Sequence, residues 1–154
     1  MERLKKTFGQ MLGTQRELFT VSPGTSVLDA LRLMADKNVH ALLVMEAGRL
    51  IGLFSEHDYA RQGELQGRVA RDTPVSELMV RDPATVAPED TVERCLALIK
   101  SHEARYWPVL AGGQVLGVLS SRDVLEEMIR EEEHLIRDIE RERLTLLHPD
   151  PSSY

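Results

Sequence analysis

The chain repeats itself at an interval of 65 residues, and no other feature restricts its fold as tightly. Under that shift Thr20, Val21, Pro23, Val27, Leu31, Leu33, Val44, Gly48, Gly52, Ser55 and Asp58 meet identical residues, ending on the pairs Ser55 with Ser120 and Asp58 with Asp123. Most remaining differences in the strand segments exchange one apolar residue for another. Two copies of one supersecondary unit are therefore expected to pack together as a single module.

Each copy reads as β-α-β-β-α. In the first, Leu18 to Ser22 is a short strand, Pro23-Gly24 a turn, and Thr25 or Ser26 the cap of a helix with Val27, Leu28, Leu31 and Met34 on its apolar face. Ala41 to Met45 and Leu50 to Phe54 form a hairpin around Ala47-Gly48, and Ser55 opens a second helix. The second copy places a strand at Ala84 to Ala87, a helix capped by Asp90 with Glu93 in support, strands at Tyr106 to Leu110 and Val115 to Leu119, and a helix from Ser121. Gly63, Gly67 and Asp72-Thr73-Pro74 interrupt the connection, where Pro74 to Met79 suits a short helix.

The motif that ends each copy, Gly52-Leu53-Phe54-Ser55-Glu56-His57-Asp58 and Gly117-Val118-Leu119-Ser120-Ser121-Arg122-Asp123, carries the chemistry. A serine at a strand-to-helix turn sits beside amides that have no intrahelical partner and bear partial positive charge, which suits a phosphate. A carboxylate three residues on can accept hydrogen bonds from ribose hydroxyls. The same spacing is also a capping box, which needs no ligand. For one isolated copy the cap is the simpler reading; two copies at equivalent places in a longer duplication shift the weight toward a ligand.

With these residues in place, the chain resembles a pair of cystathionine-beta-synthase (CBS) domains, a Bateman module, over roughly 18–128. Asp72 to Met79 is similar to the segment that introduces the second domain in small stand-alone bacterial members. The resemblance implies an α+β fold of two packed repeats and a non-catalytic regulatory role. It also implies binding of AMP, ADP or ATP, or of S-adenosylmethionine, in clefts between the domains. Carried over by position, Ser55 and Ser120 meet phosphate, and Asp58 and Asp123 hold ribose. His40 with Ala41 and Arg105 with Tyr106 border the ligand, while Thr20 with Val21 and Thr85 with Val86 help surround the base.

The copies depart from each other where the family often has a basic residue before the motif aspartate. Arg122 keeps it, but the first copy has His57, counted neutral at pH 7, which attracts phosphate less. The site of Asp123 with Arg122 and Arg105 is thus expected to be the stronger; that of Asp58 with His57 and His40 is expected to be weaker or pH-dependent, although Arg61 could restore a cation. Leu43 in the first copy faces Pro108 in the second. Trp107 reads as core or interface, and Tyr106 as a candidate to stack on adenine.

Other function classes find little support. A net charge of -6 argues against a general nucleic-acid binder. His40, His57, His102, His134 and His148 lack metal-ligand spacing, and no nucleophile elbow or phosphate-binding glycine loop occurs. The single cysteine, Cys95, falls in a helical pattern and fits a reducing compartment. With no apolar leader or membrane-length run, a cytosolic setting is expected.

The flanks complete the organisation: 1–17 as an N-terminal helix built on Leu4, Phe8, Met11 and Leu12, 18–66 as the first domain, 67–128 as the second with its lead-in, and 129–154 as a helical extension and polar tail. Leu125, Met128, Leu135, Ile139 and Leu146 mark an apolar stripe along one long helix, interrupted by Glu132 and Glu142. A homodimer is expected through it, with an unidentified regulated protein as a further partner; the alternative is an interaction scaffold whose clefts no longer bind nucleotide.

Overall fold

The structure, a computed structural model, describes residues 6–13, 17–101 and 105–147. Leu4, His102, His148 and the tail lie outside them, as does the side chain of Cys95.

Both repeats form where the duplication places them. Helix α1 spans Phe8–Leu12; β1 (Thr20–Val21), α2 (Val27–Lys37), β2 (Ala41–Glu46) and β3 (Arg49–Ser55) follow, then a helical turn α3 (Glu56–Asp58) and the short strand β4 (Val80–Arg81). The second repeat contributes α4 (Val92–Ser101), β5 (Tyr106–Ala111), β6 (Gln114–Ser120) and α5 (Ser121–Leu147). The first sheet has the order β1-β2-β3-β4, with β1 parallel to β2 and the other pairs antiparallel. The second holds β5 and β6, joined by a parallel bridge from Val86 to Val109.

Local chemistry explains the elements. Ser26 caps α2 by accepting from the Asp29 amide at 3.1 Å, and Asn38 ends it in a left-handed conformation. Both hairpins turn on two residues of positive φ, Ala47-Gly48 and Gly112-Gly113, as the twist of paired strands requires. Both also bulge at the same place, after Val44 and after Val109.

The lead-in segments cross over. Val75 and Leu78 lie in the core of the first repeat with Val27, Met34 and Phe54, while Phe8 lies in the core of the second with Val92, Trp107 and Val124. The backbone contacts match bond for bond. Val27 N donates to Thr73 O at 2.8 Å and Val75 N to Thr25 O at 2.8 Å; Val92 N donates to Lys6 O at 3.2 Å and Phe8 N to Asp90 O at 2.9 Å. The segment preceding each repeat thus packs on the other repeat, tying both into one module. The motif glycines make room for these segments: a Cβ on Gly52 would stand 2.3 Å from Met79 Sδ, and one on Gly117 2.7 Å from Leu12 Cδ2.

Several boundaries differ from the sequence reading. The first strands shrink to Thr20–Val21 and to the single Val86 bridge. Helix α4 starts two residues after Asp90, whose carboxylate accepts from the Ala87 amide at 2.9 Å and from Arg94 Nη1 at 3.1 Å. The helix opened by Ser55 passes into π geometry over Tyr59–Gly63, whereas its counterpart α5 runs on to Leu147. At the base of α5 the buried Glu127 accepts from Lys6 at 2.9 Å and Arg130 at 3.1 Å, as a buried carboxylate requires.

Candidate functional site

The motif serines and aspartates pair with each other in both repeats. Ser55 N and Oγ donate to Asp58 Oδ2 at 3.0 and 2.8 Å, and the Asp58 amide donates back to Ser55 Oγ at 3.3 Å. Ser120 N donates to Asp123 Oδ2 at 2.9 Å, and the Asp123 amide to Ser120 Oγ at 3.1 Å. The capping box is therefore realised twice. It engages one oxygen of each carboxylate and leaves Oδ1 without a hydrogen bond among the described residues. The first helical amides are partly used too, since Glu56 N donates to His40 O at 3.2 Å and Ser121 N to Arg105 O at 2.8 Å.

Besides a cavity of about 280 Å³ that Met11, Leu12 and α5 line and that also reaches Asp123, two cavities open at these motifs, each walled by both repeats. The larger, about 470 Å³, brings Ser120, Arg122 and Asp123 against His40, Ala41 and Leu43 and the approach Glu17, Leu18 and Phe19. Its volume lies within the range of small-molecule sites. The smaller, about 90 Å³, brings Ser55, His57 and Asp58 against Pro83, Ala84 and Arg105. Tyr106 lines both.

This arrangement corrects the grouping expected from the sequence. Arg105 faces the Asp58 cleft and not that of Asp123, and His40 faces the Asp123 cleft. The reason is geometric: the carbonyls of His40 and Arg105 accept from the first turn of their own repeat's motif helix, where the His40 ring also pairs with Glu56 Oε2 at 3.2 Å, while both residues line the cleft of the opposite motif. Thr20, Val21, Thr85 and Val86 line neither cavity; the residues just before them, Leu18, Phe19 and Ala84, do. Arg61 lines neither.

Sequence reasoning missed Glu17 and Glu126 in the larger cleft. Glu126 was legible as the residue one turn after Arg122. It holds that exposed guanidinium, accepting from Nε at 3.1 Å. The larger cleft thus sets Arg122 against the carboxylates of Glu17, Asp123 and Glu126, while the His40 ring pairs with Glu56. Burial, then the Glu56 carboxylate, raises the pKa of Tyr106 above the usual phenol value; Arg105 opposes this, and Asp123 and Asp58 add to it.

Away from the clefts, α5 exposes Leu125, Ile129, Ile136, Ile139 and Leu146. Steps of three and four relate them through Glu132 and Arg143, so one side of the helix carries an uncovered apolar stripe. Met128 and Leu135, expected on that stripe, are half-buried on the adjoining face. Among the described residues no helix is long and apolar enough to cross a membrane, and no group of three His, Cys, Asp or Glu could hold a metal ion.

The CBS domain profile matches residues 11–63 and 75–130. The mitochondrial CBS domain-containing protein CBSX3 of Arabidopsis thaliana is 33% identical over 111 residues, 69% of this chain; the chain spans only 54% of that protein's length. A CBS-domain protein of Burkholderia ambifaria MC40-6 is 36% identical with a TM-score of 0.76, over 80% of this chain and 94% of that one. CBSX2, solved in complex with AMP, is 26% identical with a TM-score of 0.66, over 80% of this chain and 97% of that one. The duplicated fold, the two motif clefts and these matches together make the chain a member of the CBS-domain family, with its two domains in tandem.

Proposed function

We propose that the chain is a non-catalytic regulatory module that binds an adenosine nucleotide in the Asp123 cleft and passes the bound state to a partner protein. The observation that carries this reading is the 470 Å³ cavity, walled by both repeats and presenting an uncommitted Asp123 carboxylate oxygen beside Ser120 and Arg122. The AMP complex of the related CBSX2 supports the ligand class.

The charge balance of the cleft favours few phosphates. With Arg105 in the other cleft, Arg122 alone offsets Glu17 and Glu126, so each further phosphate adds repulsion at short range. AMP is expected to bind more tightly than ADP, and ADP more tightly than ATP, with S-adenosylmethionine, which has no phosphate and carries a sulfonium cation, as the alternative. A ligand bridging both repeats favours one arrangement of them to the extent that its affinity differs between arrangements. The stripe on α5 is the surface through which two copies pair, and a cytosolic setting completes the proposal.

Calorimetric titration with the four ligands tests it, with a thermal scan alongside. Ligand at a hundred times its dissociation constant stabilises a single-site protein by ~2.7 kcal/mol. Heat and a thermal shift with AMP support the reading, and nucleotide breakdown during incubation would replace it with an enzyme. No response to any of the four ligands favours the scaffold. That second reading draws on the two capping boxes, already satisfied internally, and on the open stripe of α5.

A further inference from the structure

The two clefts descend from one duplicated unit, yet one is about 470 Å³ and the other about 90 Å³. The residues facing each motif across the module can be compared pair by pair. Phe19 in the larger cleft corresponds to Ala84 in the smaller, an exchange that by itself would make the smaller one roomier. Exposed His40 corresponds to exposed Arg105 at the rim. Ala41 corresponds to Tyr106, and among the described residues only here does a ring replace a methyl in the cleft wall. Both open the first strand of a hairpin, Ala41 opposite Ser55 and Tyr106 opposite Ser120, so the backbone holds them equivalently.

We propose that Tyr106 is the residue that closes the Asp58 cleft and makes the module a single-site receptor, its ring filling the space that Ala41 leaves open in the Asp123 cleft. The ring is half-buried and stands on the wall common to both cavities. Its closeness to both sites is consistent with the fields of Asp58 and Asp123 each acting on its hydroxyl. The duplication thus keeps the Ser-Asp pair in both copies, where it caps a helix, while one bulky side chain removes the volume a ligand needs from one of them.

The inference rests on the nucleotide reading, and one set of titrations separates the two. AMP is titrated into the wild type, Tyr106→Ala, Tyr106→Ala with Asp58→Asn, and Ala41→Tyr, with circular dichroism on each. The wild type is expected to bind one AMP per chain and Tyr106→Ala to gain a further site that is lost again when Asp58→Asn is added, whatever the loss of a ring that also lines the Asp123 cleft does to the affinity there. Ala41→Tyr is expected to lose the single site at unchanged helix content, which keeps the idea testable should Tyr106→Ala fold poorly. Two sites in the wild type, no Asp58-dependent site in a folded Tyr106→Ala, or undiminished binding by Ala41→Tyr overturns the role of Tyr106 and leaves the nucleotide reading intact. No binding by the wild type or any variant removes both.

Discussion

At the scale of single residues, each motif rests on a serine and an aspartate that hold one another at a helix start. Ser55 with Asp58 and Ser120 with Asp123 meet as their spacing requires, because three residues at the start of a helix fix the geometry. Which cleft Arg105 or His40 enters depends on the packing of one repeat against the other, which no local pattern encodes. The motif glycines show the same dependence, since what needs their bare Cα is a distant methionine or leucine. Gly117→Ala, whose Cβ would meet Leu12, is expected to destabilise by about 1–3 kcal/mol through overpacking. Gly24→Ala, facing open space, serves as the control in urea titrations. Tyr106 adds a pH effect. Its raised pKa means that the folded state favours the neutral phenol, so its contribution is complete below pH 10.0 and falls as the pH rises through the higher folded value. Tyr106→Phe is expected to flatten the loss of stability above that pH, read from urea midpoints.

At the scale of elements, helices and hairpins followed from periodicity, capping residues and turn glycines. The crossed lead-ins did not, although a trace of them stands in the sequence: Phe8-Gly9-Gln10-Met11-Leu12 and Val75-Ser76-Glu77-Leu78-Met79 place apolar residues identically. They fall 67 residues apart, outside the 65-residue register, so the main comparison passes over them. Phe8 is fully buried in the second core, and Phe8→Ala is expected to cost about 3–5 kcal/mol, a core-sized loss from a residue near the N-terminus. Hydrogen exchange should show the loss first in α4, β5 and β6 and not in α2. On α5, Ile129, Ile136 and Ile139 are 57%, 51% and 54% exposed, so their burial must come from outside the described chain if it comes at all. Ile129→Glu with Ile136→Glu is expected to convert dimers to monomers in sedimentation velocity at unchanged helix content; an unaltered dimer would move the interface elsewhere.

At the scale of the whole molecule, the duplication predicts a pseudo-symmetric α+β module and the structure forms one, held together by segments that pack across it. The asymmetry within that symmetry carries the proposed function: one roomy cleft with Arg122, and one small cleft against Tyr106. The sequence comparison of His57 with Arg122 pointed to the same ranking of the clefts, for a reason of charge, whereas the larger difference is one of volume. The most direct measurement is AMP titration of the wild type beside Asp123→Asn and Asp58→Asn, since asparagine keeps an acceptor for the serine amide and removes the charge. Hydrogen bonds to a charged group contribute about 1.5–3 kcal/mol. The expected result is binding weakened roughly tenfold to a hundredfold in Asp123→Asn and unchanged in Asp58→Asn. Binding lost in Asp58→Asn and retained in Asp123→Asn, or no heat in the wild type, would contradict the assignment of the ligand to the Asp123 cleft.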